Sequence, residues 1–190
     1  LYAQTALLGS LDPYAVAACL CTDSIIGYVA AINFHLFPDA DTDYLHVITR
    51  ERLGKTELRK VTYRGIAPPR SLHDEKDYGG SVMRTERQGV KVVISSLERA
   101  VVDCLDRADL FEFPELLRLW PTLSRFDVNE AIRYAVRLGN RVAIGRLGVM
   151  LESHPHHRPN TPAVFQLSAL RPATPAPFDP RDRSKGQYLY

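Results

Sequence analysis

The chain has 190 residues, 45% of them apolar and 24% charged, with a formal net charge of +2. This is the length of one large domain or two small ones and an ordinary globular composition, so a core of its own is expected. No apolar run approaches the roughly 20 residues that a membrane-crossing helix needs, and no N-terminal stretch reads as an export signal. A cytoplasmic protein is expected. Because the chain opens on Leu1, it reads as a piece of a longer protein. Cys19, Cys21 and Cys104 make no disulfide framework and read as small apolar residues in a reducing compartment.

In chain order, Asp12-Pro13 is a helix start, since Asp caps free amides and Pro suits the first turn. An alanine-rich helix to about Leu20 follows, then a second over Gly27 to Phe37, stopped by Pro38. The period then changes. Asp43 to Thr49 and Arg59 to Ile66 read as strands, residues 67 to 79 as a loop, and Ser81 to Arg87 with Val90 to Ile94 as a hairpin turning at Gln88-Gly89. Ser95 and Glu98 have capping-box spacing, and Leu97, Ala100, Val101, Cys104 and Leu105 mark one helical face. A weaker helix is expected over Phe113 to Trp120. Asp127 and Glu130 start another, closed by Gly139-Asn140, and Arg141 to Glu152 forms the next, with Gly145 and Gly148 placed for close approach of a neighbour. Helices, a run of strands, then helices predict an α+β domain over residues 1–153: a small antiparallel or mixed sheet packed with several helices. Residues 154–190 are Pro-rich, with a strand expected at Ala163 to Leu170, an extended tail, and the beginning of a further strand at Gly186 to Tyr190.

The charges are badly mixed. Residues 1–49 hold five Asp and no Lys or Arg, whereas residues 50–70 hold seven basic groups against Glu51 and Glu57. Such a local excess suits phosphate or an acidic protein surface, or is simply a solvated strand and loop. The candidates for nucleic-acid or partner contact are Arg50, Arg52, Lys55, Arg59, Lys60 and Arg64, joined by a helical stripe of Arg133 and Arg137. Nucleotide-binding loops, nucleophile elbows and zinc-protease motifs are missing, so no catalytic residue, metal ligand or cofactor is assigned. Asp74-Glu75-Lys76-Asp77 has the residue types of a metal nuclease, but consecutively and in a loop. His154-Pro155-His156-His157 reads as a linker, His35 and His46 as structural, and Arg99 and Asp103 as structural groups bonded to the backbone of the preceding hairpin.

The segment Val93-Ile94-Ser95-Ser96-Leu97-Glu98-Arg99-Ala100-Val101-Val102-Asp103-Cys104-Leu105 resembles the strand-to-helix signature of the AbiEi antitoxins of type IV toxin–antitoxin systems. Asp12-Pro13-Tyr14, Gly27-Tyr28, Asn33-Phe34-His35-Leu36, Tyr134, Leu138-Gly139-Asn140, Arg146-Leu147-Gly148 and Leu151-Glu152 follow that family's order at similar distances, across about residues 10 to 152. The resemblance implies a non-enzymatic regulator domain involved in phage defence. It would support promoter DNA binding by a parent protein whose winged helix reads the operator, and would counteract a nucleotidyltransferase-type toxin. Eleven residues ahead of Asp12 cannot hold a winged helix, so the C-terminal domain alone is expected. A divalent-metal nuclease domain fused to a regulator and a purely structural or oligomerisation module are the alternatives.

Overall fold

The computed structural model describes residues 11–110, 116, 118–120, 125–153, 167, 169–170, 173, 176–177 and 188–189. Asp12 starts helix α1 (Pro13–Cys19) as its chemistry dictates: Oδ1 accepts from the amides of Tyr14 at 2.8 Å and Ala15 at 3.1 Å. Its other oxygen accepts from Arg87 Nε at 2.7 Å, tying the helix to a distant hairpin. The helix expected over Gly27 to Phe37 is present as α2 (Tyr28–Leu36), and a strand that the sequence reading leaves unassigned, β1 (Ile25–Gly27), runs straight into it. A three-residue strand is too short to show a period of two. Its residues are wholly buried because it lies inside the sheet.

The other strands are β2 (Tyr44–Ile48), β3 (Lys55–Leu58), β4 (Val61–Ile66), β5 (Val82–Arg87) and β6 (Val90–Ser95). With β1 they form a six-stranded mixed sheet in the order β3-β4-β2-β1-β6-β5. The pairs β2/β4 and β1/β6 are parallel and the rest antiparallel. The α+β expectation is met, with the sheet mixed. Two details differ from the expectation. Lys55–Leu58 is a strand that the mixed charge pattern hides, and Arg59-Lys60 is the turn before β4, not its first two residues. The Gln88-Gly89 turn is as expected, both residues having positive φ.

The connection into β3 crosses the sheet at Gly65. A Cβ there would stand 2.2 Å from the carbonyl oxygen of Leu53, so only glycine admits the crossing chain. Gly65→Ala is expected to destabilise the fold by about 1–3 kcal/mol, because backbone must move to relieve the overlap. A urea melt checks it, and an unchanged midpoint would refute this account of the crossing.

Helices α3 (Leu97–Asp106), α4 (Val128–Leu138) and α5 (Arg141–Ser153) follow, α3 packing against α2, α4 and α5. The apolar face of α3 is buried as expected, but so are Arg99, Val102 and Asp103, since helices surround it. Its cap is Ser96 and not Ser95, which ends β6. Ser96 Oγ accepts from the Arg99 amide at 3.2 Å, while Glu98 accepts from the Asp127 amide at 3.0 Å instead of closing a capping box. Asp127 caps α4, and Gly139 closes it at φ 75°. The close approach expected at Gly148 is absent, with nothing within 4 Å of an added Cβ.

In the expected 113–120 helix, Leu116, Arg118 and Leu119 are helical and the rest lies outside the described residues, apart from Trp120 in a 3-10 turn. Leu167 and Ala169, described within the expected 163–170 strand, are helical instead, and Leu167 joins the core. A short apolar run suits a strand and a buried helix equally, which is why that stretch misleads. Strand β7 (Ala176–Pro177) pairs with β8 (Tyr188–Leu189), where the last strand is expected. The histidine run at 154–157 lies outside the described residues.

Candidate binding surface

The hairpin β3–β4 forms the outer edge of the sheet. Arg52, Lys55, Arg59 and Lys60 are all exposed on it or just ahead of it. None makes an ion pair among the described residues. Arg59 and Lys60 turn with φ of 52° and 68°, the left-handed pair of a two-residue hairpin. Glycine or Asn is the usual occupant, and other L residues cost roughly 1–2 kcal/mol each in this region. The strain displays two cationic side chains at the tip. Arg64 is half-buried one strand inward, beside Lys55 on one side and His46 on the other.

The remaining candidates do not join this cluster as free cations. Arg50 Nε donates to Asp23 at 3.4 Å and its guanidinium lies 5.3 Å from the Tyr78 ring centre. Arg133 pairs with Glu130 at 2.7 Å. Arg137 donates to the Gly79 carbonyl at 2.7 Å and pairs with Glu75. Half of the expected helical stripe therefore holds a loop.

That loop is the feature sequence reasoning undervalues. Asp77, Tyr78, Gly79, Gly80 and Ser81 all have positive φ, from 50° to 97°, so the chain makes a left-handed turn that three non-glycine residues resist. Arg99, fully buried at 0% exposure, holds it from beneath: one nitrogen donates to the carbonyls of Asp77 at 2.7 Å and Gly80 at 2.6 Å. Its Nε donates to Asp103 at 3.3 Å, and Asp103 also accepts from Tyr134 Oη at 2.7 Å. Burial pushes the Asp103 carboxyl up, against the pull of Arg99 and Tyr134. At the sheet end, Tyr78 donates to Asp23. Burial would raise Asp23, but donors from Thr49, Tyr78 and Arg50 outweigh it and bring the carboxyl down to about 2. Arg99 thus bonds to backbone beyond its own helix, but to the carbonyls of Asp77 and Gly80 in the loop ahead of the hairpin and not to the hairpin itself, where the bond is expected.

His46 is buried beside Tyr28 and Tyr44, with ring centres 5.3 and 4.8 Å away, and neither imidazole nitrogen has a hydrogen-bond partner among the described residues. Burial first, then Arg64 and Arg107, lowers its pKa to about 4, so it is a neutral core residue. His35 Nε2 donates to the Ser95 carbonyl at 2.8 Å.

Asp74, Glu75 and Asp77 take three different partners, the His73 imidazole, Arg137 and Arg84, and share none of them. No group of three or more metal-ligating side chains occurs among the described residues. Beside the hairpin lies a groove of about 950 Å³ with Tyr14, Val16, Val61 and Tyr63 among its walls. Asp39, Asp41, Asp43, Arg59 and Lys60 also line it. No helix among the described residues is long and apolar enough to cross a membrane. No family model matches the chain, and no curated protein is similar enough to stand as a relative.

Proposed function

We propose that this chain is the core of an antitoxin-type transcriptional regulator, acting by binding and not by catalysis. The observation that carries the reading is the outer hairpin and its approach, where Arg52, Lys55, Arg59 and Lys60 stand exposed and without carboxylate partners among the described residues. Cations free of internal partners are the ones able to meet phosphate, and they fix position on a duplex without reading bases. The ordered signature at residues 93–105 supplies the family, and with it promoter DNA bound through a parent protein and a nucleotidyltransferase-type toxin as protein partner. The neighbouring groove, lined by apolar side chains and by charges of both signs, suits a protein chain better than a polyanion.

The test is to replace Arg52, Lys55, Arg59 and Lys60 together with serine in the parent protein and titrate promoter duplex over a salt series. The slope of log affinity against log salt should fall by about 3 to 4, since each lost phosphate contact removes roughly 0.9. Replacing Arg50, Arg133 and Arg137 instead should change it much less, because those groups are held by Asp23, Glu130 and Glu75. Equal slopes for the fourfold variant and the native protein would remove the hairpin from the interface.

A further inference from the structure

Strand β3 ends the sheet, and among the described residues no strand pairs with its outer side. The hairpin register shows which backbone groups face outward. Around a two-residue turn Leu58 and Val61 exchange hydrogen bonds, and bonded pairs alternate with non-bonded ones from there. The pairs Glu57 with Thr62 and Lys55 with Arg64 are then non-bonded. The Thr62 amide agrees, donating to the Asp43 carbonyl at 2.8 Å on the far side of β4. The amides and carbonyls of Lys55 and Glu57 therefore point to the free edge.

We infer that this edge pairs, antiparallel, with β3 of a second copy of the chain about a two-fold axis at Thr56. In that register Lys55 of each copy stands opposite Glu57 of the other. Both bonded pairs exchange their free N–H and C=O groups, and both appose opposite charges on the same face of the sheet. Thr56 meets its own equivalent in a non-bonded pair. Leu58, one of the few large apolar side chains that are well exposed, at 43%, stands opposite Gly54, where an added Cβ would meet nothing within 4 Å. A lysine on an edge strand usually discourages pairing. Glu57, two residues on, supplies the complement, so the edge rejects strands of other charge pattern and accepts itself. Such an isologous contact is closed and cannot propagate into fibres. The inference is independent of the phosphate reading, except that it commits Lys55 to the second copy.

The experiment uses the full chain without nucleic acid, so its outcome is separate from that of the duplex titration. Sedimentation velocity over a concentration series should show a reversible dimer. Lys55→Glu and Glu57→Lys should each shift it to monomer, and the double variant K55E/E57K should restore it. Both side chains are exposed, so circular dichroism should show all three variants folded. In a Cys19→Ser background, which removes the exposed native thiol, mild oxidation of Thr56→Cys should give an intermolecular disulfide, whereas Glu86→Cys on the opposite edge should not. A monomer at every concentration, with Thr56→Cys cross-linking no faster than Glu86→Cys, overturns the proposal. So does a dimer that survives both single charge reversals, because it forms elsewhere.

Discussion

Arg99→Met is expected to be the most damaging single substitution of the polar groups described, lowering the free energy of unfolding by about 3–5 kcal/mol, the usual cost of removing one partner from a buried charge pair. Three losses add. Asp103, buried at 1% exposure, keeps only Tyr134 as a donor. The carbonyls of Asp77 and Gly80 lose the guanidinium that donates to them. The left-handed run from Asp77 to Ser81 loses its support and is free to relax toward ordinary backbone. Lysine cannot substitute, since one ammonium on a flexible stem does not span two carbonyls and a carboxylate as a planar fork does. The check is chemical denaturation followed by circular dichroism. A second variant separates lost attraction from stranded charge: Arg99→Met with Asp103→Leu should be less damaging than Arg99→Met alone, because no carboxylate is left unpaired. If Arg99→Met keeps the native midpoint, the loop is held by Arg137 and Tyr78 without help from below.

This network also shows what a sequence can and cannot carry. Helices α1, α3 and α4 are legible because their signals are local: a capping Asp or Ser, an apolar stripe, a closing glycine. The one-residue error at the α3 cap has a local cause too, since adjacent Ser95 and Ser96 satisfy the same rule. Strand β1 escapes detection because three residues carry no period, and β3 because its alternation of Lys, Thr, Glu and Leu describes an edge and not a core. The basic excess after residue 49 is visible in composition. What no spacing rule shows is which cations already have partners. Arg50, Arg133 and Arg137 find their carboxylates 27, 3 and 62 residues away, and only the fold makes two of those distances short. The candidate site therefore contracts to the hairpin, with Arg64 half-buried behind it.

His46 gives the second large effect, and its sign follows from geometry. The ring is buried beside Tyr28 and Tyr44, has no hydrogen-bond partner among the described residues, and feels Arg64 and Arg107, so the fold disfavours its charged form and places the pKa at about 4 against an ordinary 6.5. The unfolded chain takes up the proton first. The contribution of neutral His46 is thus complete above pH 6.5 and is lost as pH falls from 6.5 through 4. The loss is about 3 kcal/mol, since a tenfold difference in proton affinity between folded and unfolded chain is worth roughly 1.4 kcal/mol. Asp23 acts lower, its stabilisation fading only between its ordinary 3.8 and about 2, so the two windows are separate. Asp106 works in the opposite direction, since burial raises its carboxyl and favours the folded state on protonation. A comparison of two proteins removes such shared contributions. His46→Phe keeps an aromatic ring beside the tyrosines and deletes both orphan nitrogens. It should be at least as stable as the native chain at pH 7.5, and the gap in its favour should widen by about 3 kcal/mol on going to pH 4. Urea midpoints at half-unit pH steps measure the difference curve. A flat curve would mean that His46 reaches water or a partner when protonated, and a variant weaker at pH 7.5 would mean that its nitrogens are satisfied in the native fold.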